Sequence, residues 1–273
     1  MKKIKKNILD VIKKTHALIT IEEGKLLYDL AKNGPGKGTI VEIGSYKGGS
    51  TILLAMGSKI SSREKVYAID PHKKYNSHAK KIGKEKVPPS TLEIFKQNVS
   101  QQGVKDWIVP IVGFSEKIVR KWKQPIRLLW IDGDHRYEYV LADFLLWERY
   151  LVKGGIIAFH DTKDSKKINP ITGKAISSCD GPVIVMKDLI ESQRYGNIKT
   201  VDSISFATKI KQASGSEILQ NNVRIRLIKN KALYTKLTDM DYIIGGIGKF
   251  IKKLNLKLYY TIKKLINKKR EIN

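Results

Sequence analysis

The feature that most constrains the fold of this chain is a short apolar segment that runs directly into a glycine-bearing turn and then into a helical pattern. Apart from Glu42, residues 39–43 are β-branched and mostly apolar without alternation, which is typical of a parallel strand covered on both faces. Residues 41–50 read Val-Glu-Ile-Gly-Ser-Tyr-Lys-Gly-Gly-Ser. This strand, tight loop and helix start predict a doubly wound α/β domain that binds its ligand at the loop.

The spacing within this loop distinguishes between classes of ligand. A dinucleotide fold requires a second glycine at position 46, where this chain has Tyr46, and a Walker loop requires a lysine directly before Ser50. What remains is an acidic residue at the strand end, Glu42, followed by Gly-x-x-x-Gly. This pattern suits a nucleoside ligand that carries positive charge and no phosphate, a description that fits S-adenosylmethionine. The alternative is a strand-to-helix turn whose glycines serve the fold alone.

The order of the remaining predicted elements defines the fold class. Further apolar runs predict strands over 65–70, 108–112, 127–132 and 156–160. Helical patterns predict helices over 50–56, 91–102, 116–122 and 137–151. Two final extended runs, 198–201 and 203–210, are separated only by a turn around Asp202, so they must pair antiparallel. We therefore expect an α/β, Rossmann-like methyltransferase architecture, with a mainly parallel seven-stranded sheet and a terminal antiparallel hairpin.

Patterning also predicts the domain boundaries. We expect a basic N-terminal helix over 1–19, one large domain over 20–210, and a basic, mostly helical C-terminal extension over 211–273. Thr20, followed by Glu22-Glu23, predicts a helix cap with an acidic first turn. The hydrophobic content of 41% is sufficient for a large core in the central domain.

Composition limits the partners and the location of the protein. The chain has 52 Lys and Arg against 26 Asp and Glu, and this net charge of +26 raises the question of nucleic acid, an anionic membrane or an acidic substrate. The single cysteine, Cys179, excludes an internal disulfide and indicates a reducing compartment. Lys13-Lys14 interrupts the start of the chain before an apolar signal region can form, and no run of about 18 apolar residues follows. The expected location is therefore the cytoplasm.

Polar residues follow four of the predicted strands, and the carboxyl ends of parallel strands meet at one edge of the sheet. Asp70 ends the second strand and can accept hydrogen bonds from both ribose hydroxyls of a nucleoside. The segment Gly113-Phe114-Ser115 follows the third strand and offers its backbone and a hydroxyl to an adenine edge. The other interpretation of Ser115 is a cap for the helix that follows, and both roles can hold together.

The densest group of ionisable residues follows the next two strands. It comprises Asp132, Asp134, His135, His160 and Asp161. Such a group indicates a bound cation or a proton-transfer task, because the charges would otherwise destabilise one another. Asp132 and Asp161 are the expected ligands of a hard divalent ion such as magnesium. The alternative for His160 is a hydrogen bond to a neighbour. Asp134 and His135 lie in a polar loop, where catalytic groups are often found.

These motifs resemble those of a known family. From about residue 20 to residue 210, the chain is similar to the catechol O-methyltransferase-like class I methyltransferases, in particular the sugar and macrolide O-methyltransferases and cephalosporin hydroxylase-like proteins. Residues 42–50 resemble the cofactor loop of that family, and residues 113–115 resemble its adenine-side turn. The resemblance implies contacts with S-adenosylmethionine from Glu42, Gly44, Ser45, Tyr46, Gly48, Ser50, Asp70 and Ser115.

The resemblance also implies a metal site and a general base. Asp132 and Asp161 match two metal-binding positions of the family, and His160 occupies a third, where relatives usually carry Asp or Glu. A histidine ligand suits manganese, iron or zinc better than magnesium. His135 falls where relatives place a lysine or histidine base, and Asp134 falls where others place an aspartate. We favour His135 because histidine ordinarily titrates near neutral pH.

Three functions follow as hypotheses. The leading one is metal-assisted O-methylation of a hydroxylated substrate such as a sugar, glycan or glycolipid. The net charge of +26 favours an RNA methyltransferase as the alternative, but the chain has no Asn/Asp-Pro-Pro-aromatic motif and no aromatic-rich basic stripe that would stack bases. Nucleic acid is therefore not the expected partner. The third hypothesis is a non-catalytic, membrane-peripheral binding protein on the same fold.

The C-terminal extension contains a basic amphipathic helix. Over residues 247–266, apolar residues fall on one helical face and six lysines fall largely on the other. Such a helix either packs on the domain or lies on an anionic membrane surface, which would place the protein at the inner face of the membrane.

Deletion of residues 242–273 separates these two roles of the tail. If the helix binds membranes, full-length protein should co-sediment with anionic vesicles at low salt, because each lysine near an anionic leaflet contributes about 1 kcal/mol. High salt should release it, and neutral vesicles are the control. Full-length protein that stays in the supernatant, together with a lower melting temperature of the truncated protein, would instead show that the helix packs on the domain.

Overall fold

The computed structural model of this chain describes residues 2–73, 81–82, 85–86, 90–163, 180–222 and 225. Its helices are α1 (Lys2–Thr15), α2 (Ile21–Asn33), α3 (Gly49–Ile60), α4 (Leu92–Gln101), α5 (Ser115–Ile118), α6 (Tyr137–Trp147) and α7 (Asp180–Glu191). Its strands are β1 (Thr39–Ile43), β2 (Val66–Asp70), β3 (Lys81–Ile82), β4 (Glu85–Lys86), β5 (Ile108–Val112), β6 (Ile126–Ile131), β7 (Leu151–Phe159), β8 (Tyr195–Val201) and β9 (Ile204–Lys209). Cys179 and the helix predicted over 247–266 lie outside the described residues.

Seven of the described strands form one sheet in the order β5-β2-β1-β6-β7-β9-β8. The first five strands run parallel, and β9 pairs antiparallel with both β7 and β8. The turn between β8 and β9 is too short for a parallel crossover, so this end of the sheet can only be antiparallel. The predicted fold class is confirmed.

The direction of strand addition reverses at β1, which has β2 on one side and β6 on the other. In a doubly wound sheet, the loops on the two sides of such a point diverge and leave a crevice outside the carboxyl ends of the strands. The loop after β1 and the polar segment after β6 therefore border the same crevice. The topology alone thus brings most of the predicted functional residues to one edge of the sheet.

Helices cover both faces of this sheet. On one face, a core cluster includes Ile8 from α1, Phe95 from α4 and Trp130 from β6, together with side chains of α2 and α3. On the other face, the ring of Phe144 in α6 lies 6.1 Å from the ring of Phe159 in β7. Every residue of β6 is buried, as expected for a central parallel strand. In the described part of the chain, no helix combines the length and apolarity needed to span a membrane.

The boundary between α6 and β7 differs from the prediction. The helix ends at Trp147, a 3₁₀ turn covers Glu148–Tyr150, and the strand begins at Leu151 rather than at residue 156. Leu151 is fully buried and pairs with the start of β6. The strand then passes Gly154 at a φ of +82°, and regular pairing resumes at Ile156 after a shift in register. Helical periodicity could not reveal this boundary because it depends on the neighbouring strand.

The start of α2 is confirmed in atomic detail. The hydroxyl of Thr20 accepts a hydrogen bond from the Glu23 N–H at 3.1 Å, and the Glu23 carboxylate accepts one from the Thr20 N–H at 2.8 Å. This reciprocal capping box satisfies two backbone donors that a helix start would otherwise leave unpaired.

Candidate active site

The loop after β1, which we call the β1 loop (residues 44–48), depends on a glycine that brings two strand ends together. Gly44 has a φ of +93°, and a Cβ atom at this position would overlap the backbone carbonyl of Asp132 at the end of β6. The N–H of Asp132 donates to the carbonyl of Ile43 at 2.8 Å. At the other end of the loop, Gly48 has a φ of +88° and forms the N-cap of α3. The β1 loop and the ionisable group after β6 therefore lie side by side.

Asp70 organises the β1 loop from the neighbouring strand. Its Oδ2 accepts a hydrogen bond from the Tyr46 N–H at 2.9 Å, and its Oδ1 accepts one from the His72 N–H at 2.6 Å. Each carboxylate oxygen can accept a second hydrogen bond, so Asp70 still has capacity for ligand hydroxyls. The Ser45 hydroxyl is buried and has no hydrogen-bond partner among the described residues. A buried hydroxyl without a hydrogen-bond partner indicates a position where a polar group of a ligand could bind.

Glu42 and Ser50, both expected to contact the cofactor, contact each other behind the β1 loop. Glu42 is fully buried, and its two carboxylate oxygens accept hydrogen bonds from the hydroxyls of Ser50 and Thr51 in the first turn of α3. Burial raises the pKa of Glu42 to about 8, with further increases from the charges of Asp132 and Asp70, and the two hydroxyls only partly offset this effect. At neutral pH, this carboxyl group is therefore mostly protonated, and it connects β1 to α3.

Ser115 does not cap the helix that follows it. Helix α5 begins at Ser115 itself, its N-cap residue is Phe114, and there is no side-chain cap. The Ser115 hydroxyl donates instead to the carboxylate of Asp143, which is 7% exposed on α6. The alternative interpretation of Ser115 as a cap is therefore wrong, because a buried acceptor on another helix is available to the hydroxyl. Asp143 was not among the expected site residues, although an acidic residue between Ala142 and Phe144 in an apolar helix was a detectable signal.

The ionisable residues after β6 and β7 form one compact cluster. The Oδ1 atom of Asp132 lies 3.0 Å from Nδ1 of His160 and 3.3 Å from Nε2 of His135. One ligand atom from each of the three residues lies within 4.8 Å of the other two, so the three residues could act together as ligands of a metal ion. Asp161, the other expected ligand, contacts the far side of the cluster, where its Oδ2 lies 3.2 Å from Nδ1 of His135. The structure thus brings the predicted residues together in an arrangement that the sequence did not specify.

The charges in this cluster stabilise one another. Burial raises the pKa of Asp132, but the charge of His160 and the contacts with both imidazoles outweigh burial and lower that pKa to about 2. Burial lowers the pKa of His160, but the charge and hydrogen bond of Asp132, together with Glu23, outweigh it and raise that pKa to about 11. In the protein without an ion, Asp132 is therefore ionised and His160 is protonated.

Asp134 is held away from this cluster by its neighbour. The guanidinium group of Arg136 forms a two-point ion pair with the Asp134 carboxylate, with Nε 2.9 Å from Oδ1 and a terminal nitrogen 2.5 Å from Oδ2. The same guanidinium lies 4.2 Å from the centre of the Tyr139 ring. Of the two candidate bases, only His135 therefore contacts the cluster.

Glu23 is a site residue that the sequence did not reveal. It was expected only as part of the first turn of α2, yet its Oε2 atom lies 3.7 Å from Nε2 of His160. Both residues line an open pocket of about 580 Å³, whose wall also includes Asp161, residues 17–20 and the turn between β8 and β9. The only available signal was the Thr20 to Glu23 capping box, and that pattern does not show what else the carboxylate contacts.

Comparison with known proteins shows what this chain is similar to. A family model described as a methyltransferase domain matches residues 41–162, from β1 to just beyond β7. Uncharacterized protein R132 of Acanthamoeba polyphaga mimivirus is 30% identical over 155 residues, which cover 51% of this chain and 59% of that protein. The match therefore spans less than two thirds of the length of this relative.

Solved methyltransferase structures share the fold. The O-methyltransferase from Bacillus cereus in complex with SAH is 19% identical, with a TM-score of 0.54 over 75% of this chain and 91% of that chain. The O-methyltransferase TomG from Streptomyces achromogenes in complex with SAM is 16% identical, with a TM-score of 0.52 over 76% and 90%. The SAH-bound methyltransferase PaMTH1 from Podospora anserina is 14% identical, with a TM-score of 0.57 over 75% and 88%. The resemblance is confirmed at the level of the matched segment and the fold: residues 41–162 match a methyltransferase-domain model, and the chain shares its fold with these methyltransferases.

The pKa of Glu42 predicts a pH dependence of stability. Because the pKa in the folded protein, about 8, lies above the ordinary 4.5, the stabilisation by the protonated carboxyl is complete below about pH 4.5 and is lost as the pH rises towards 8. The variant Glu42→Gln should lack this loss and gain stability relative to the wild type between pH 5 and pH 8.5, on the order of a few kcal/mol, in urea unfolding. The exposed Glu93→Gln variant is the control. If the free energy of unfolding depends on pH in the same way in the wild type and in Glu42→Gln, the raised pKa does not belong to Glu42.

Proposed function

We propose that the protein transfers the methyl group of S-adenosylmethionine to a hydroxyl group of a sugar, glycan or glycolipid. One observation carries the proposal: the β1 loop, with its unpartnered Ser45 hydroxyl, lies directly beside the cluster of Asp132 and its two histidines. A nucleoside site next to an acid-base cluster suits group transfer between two bound molecules. The methyltransferase-domain match and the solved O-methyltransferases of the same fold support this reaction class.

The residues around the β1 loop fit S-adenosylmethionine. Asp70 would accept the ribose hydroxyls, Ser45 and the loop backbone would face polar groups of the cofactor, and residues 113–115 would lie at the adenine. When bound, the cofactor supplies an electrophilic methyl group on a positively charged sulfur. The ionised carboxylate of Asp132 at the adjacent strand end is electrostatically compatible with that charge.

A divalent ion is the second part of the proposal. Asp132 and His160 would be its ligands, as the sequence predicts, and Nε2 of His135 is the third donor atom that converges with them. The Asp161 carboxylate would then act from behind the His135 ring. Mixed nitrogen and oxygen donors suit manganese, iron or zinc better than magnesium. When bound, the ion supplies positive charge that favours the deprotonated form of the acceptor hydroxyl.

His135 is the proposed general base. Asp161 Oδ2 lies 3.2 Å from Nδ1 of His135, where it would accept the Nδ1 proton and leave Nε2, which faces Asp132, as the basic nitrogen. Asp134 is the weaker candidate because Arg136 already occupies both of its carboxylate oxygens. Since Nε2 of His135 is also one of the converging donor atoms, the same nitrogen can serve as a base or as a ligand, and measurement of both properties separates the two roles.

Two further points of the proposal concern the partner. The net charge of +26 is the observation that favours RNA as an alternative acceptor. The same charge and the basic tail support attachment to an anionic membrane, where a glycolipid acceptor would be presented to a protein on the cytoplasmic side. Methyl transfer to extracted lipid or glycan fractions, compared with transfer to total RNA, distinguishes these acceptors.

Cofactor binding tests the first part of the proposal. Isothermal titration should show S-adenosylmethionine binding in the micromolar range or tighter, roughly −8 kcal/mol. Because the Ser45 hydroxyl has no partner in the described part of the chain, Ser45→Ala should keep the wild-type melting temperature but weaken cofactor binding by about 3- to 10-fold. The exposed Ser100→Ala variant should bind like the wild type. If the folded wild-type protein does not bind the cofactor, the proposal is wrong.

Transfer of a labelled methyl group to fractions of a cell extract tests the catalytic part. His135→Ala should lower turnover by about 10² to 10⁴ if the residue is the base, with little change in the affinity for Mn²⁺. Loss of Mn²⁺ binding in this variant would instead identify His135 as a ligand. Asp134→Asn is the matched neighbour and should have a small effect. Turnover that survives both chelation and Asp132→Asn would rule out metal assistance.

A further inference from the structure

Glu23 is a buried carboxylate from outside the matched methyltransferase domain that reaches the ionisable cluster. It lies in the first turn of α2 and is 2% exposed. Its Oε1 atom accepts hydrogen bonds from the Ser203 N–H at 2.8 Å and from the Ser203 hydroxyl at 2.6 Å. Its Oε2 atom accepts the Thr20 N–H at 2.8 Å and faces Nε2 of His160 at 3.7 Å. One side chain thus joins α2, the β8–β9 turn and the end of β7.

The local contacts of Glu23 use both carboxylate oxygens, but the donors themselves are uncharged. Glutamine at the third position of a helix completes a capping box as glutamate does. Its single amide oxygen could accept from either Thr20 or Ser203, but not from both. A buried carboxylate is costly unless a positive group lies nearby. Within the described residues, the basic group in ion-pair range of Glu23 is the His160 imidazole.

The position of His160 indicates how the charge of Glu23 acts on the cluster. The ring is 6% exposed and lies between two carboxylates, with Nδ1 3.0 Å from Asp132 and Nε2 3.7 Å from Glu23. His135 has the same arrangement, with Asp132 at Nε2 and Asp161 at Nδ1. A carboxylate behind an imidazole fixes the orientation of the ring and strengthens the opposite nitrogen as a metal ligand.

We propose that Glu23 is the positioning residue of His160, which holds the ring so that Nδ1 faces the ion-binding group formed with Asp132 and His135. This inference rests on the proposed function, because it requires that a divalent ion binds to the cluster. Since Glu23 also binds Ser203, it ties the orientation of His160 to the β8–β9 turn, which forms one wall of the adjacent pocket. Elements before and after the matched domain, α2 and the β8–β9 turn, thereby become part of the site.

Three variants of the full-length chain test this role. Glu23→Gln removes the charge and leaves the donors of either Thr20 or Ser203 without an acceptor, and it should weaken Mn²⁺ binding by about 10- to 100-fold, the usual effect of losing a carboxylate behind a histidine ligand. Its affinity for S-adenosylmethionine should stay close to that of the wild type, and its melting temperature should fall about as far as that of Thr20→Val. Glu22→Gln changes a neighbouring surface glutamate that pairs with Lys5, and it should leave all three quantities unchanged. Thr20→Val removes the cap hydroxyl, together with its hydrogen bond to Asp202 at 2.6 Å, but keeps the Glu23 charge. It should therefore lower the melting temperature by about 2–4 °C and leave Mn²⁺ binding intact.

Isothermal titration and electron paramagnetic resonance of Mn²⁺ provide the readouts. The inference is overturned if Glu23→Gln binds Mn²⁺ as tightly as the wild type, or if Thr20→Val loses Mn²⁺ affinity to the same extent, since the effect would then follow stability alone. Wild-type protein that binds S-adenosylmethionine but not Mn²⁺ would overturn the ion-dependent part of the proposed function together with the role of Glu23. Wild-type protein that binds neither would overturn the proposed function as a whole.

Discussion

The close approach of β1 and β6 at their carboxyl ends is the constraint on which the site depends. Only a residue without a side chain fits at position 44, where the backbone meets the carbonyl of Asp132. This contact places the β1 loop, where a nucleoside would bind, directly beside the cluster that would act on the acceptor. It also concentrates acidic groups, because Glu42, Asp70 and Asp132 all lie at the ends of neighbouring strands.

The protein resolves this concentration of acidic groups in three different ways. Glu42 is fully buried, has no cationic partner among the described residues, and mostly retains its proton at neutral pH. Asp70 accepts backbone N–H groups from the loops around it. Asp132 is ionised and interacts with two imidazoles. These environments separate a protonated carboxyl, a carboxylate that organises a loop and a carboxylate that contacts two histidines, although the three residues occupy similar positions at strand ends.

Much of the architecture followed from local patterns. The apolar run at 39–43, the strand at 108–112 and the terminal hairpin were predictable because buried parallel strands lack alternation and because a short turn permits only antiparallel pairing. The boundary at Leu151 was not predictable from periodicity, since burial against β6 and a register shift at Gly154 determine it. Local preference thus identified the elements, and contacts between strands set where one of them begins.

For the site, the sequence by itself determined which residues come to the crevice, because strand order carries every residue at a carboxyl end to the same edge of the sheet. Only the tertiary structure decided what each of them contacts there. The Ser115 hydroxyl binds Asp143 rather than the start of its own helix, and Asp134 binds Arg136 rather than joining His135. The contact of Glu23 with His160 joins residues more than a hundred positions apart in the sequence. No local pattern can predict a contact between residues so far apart.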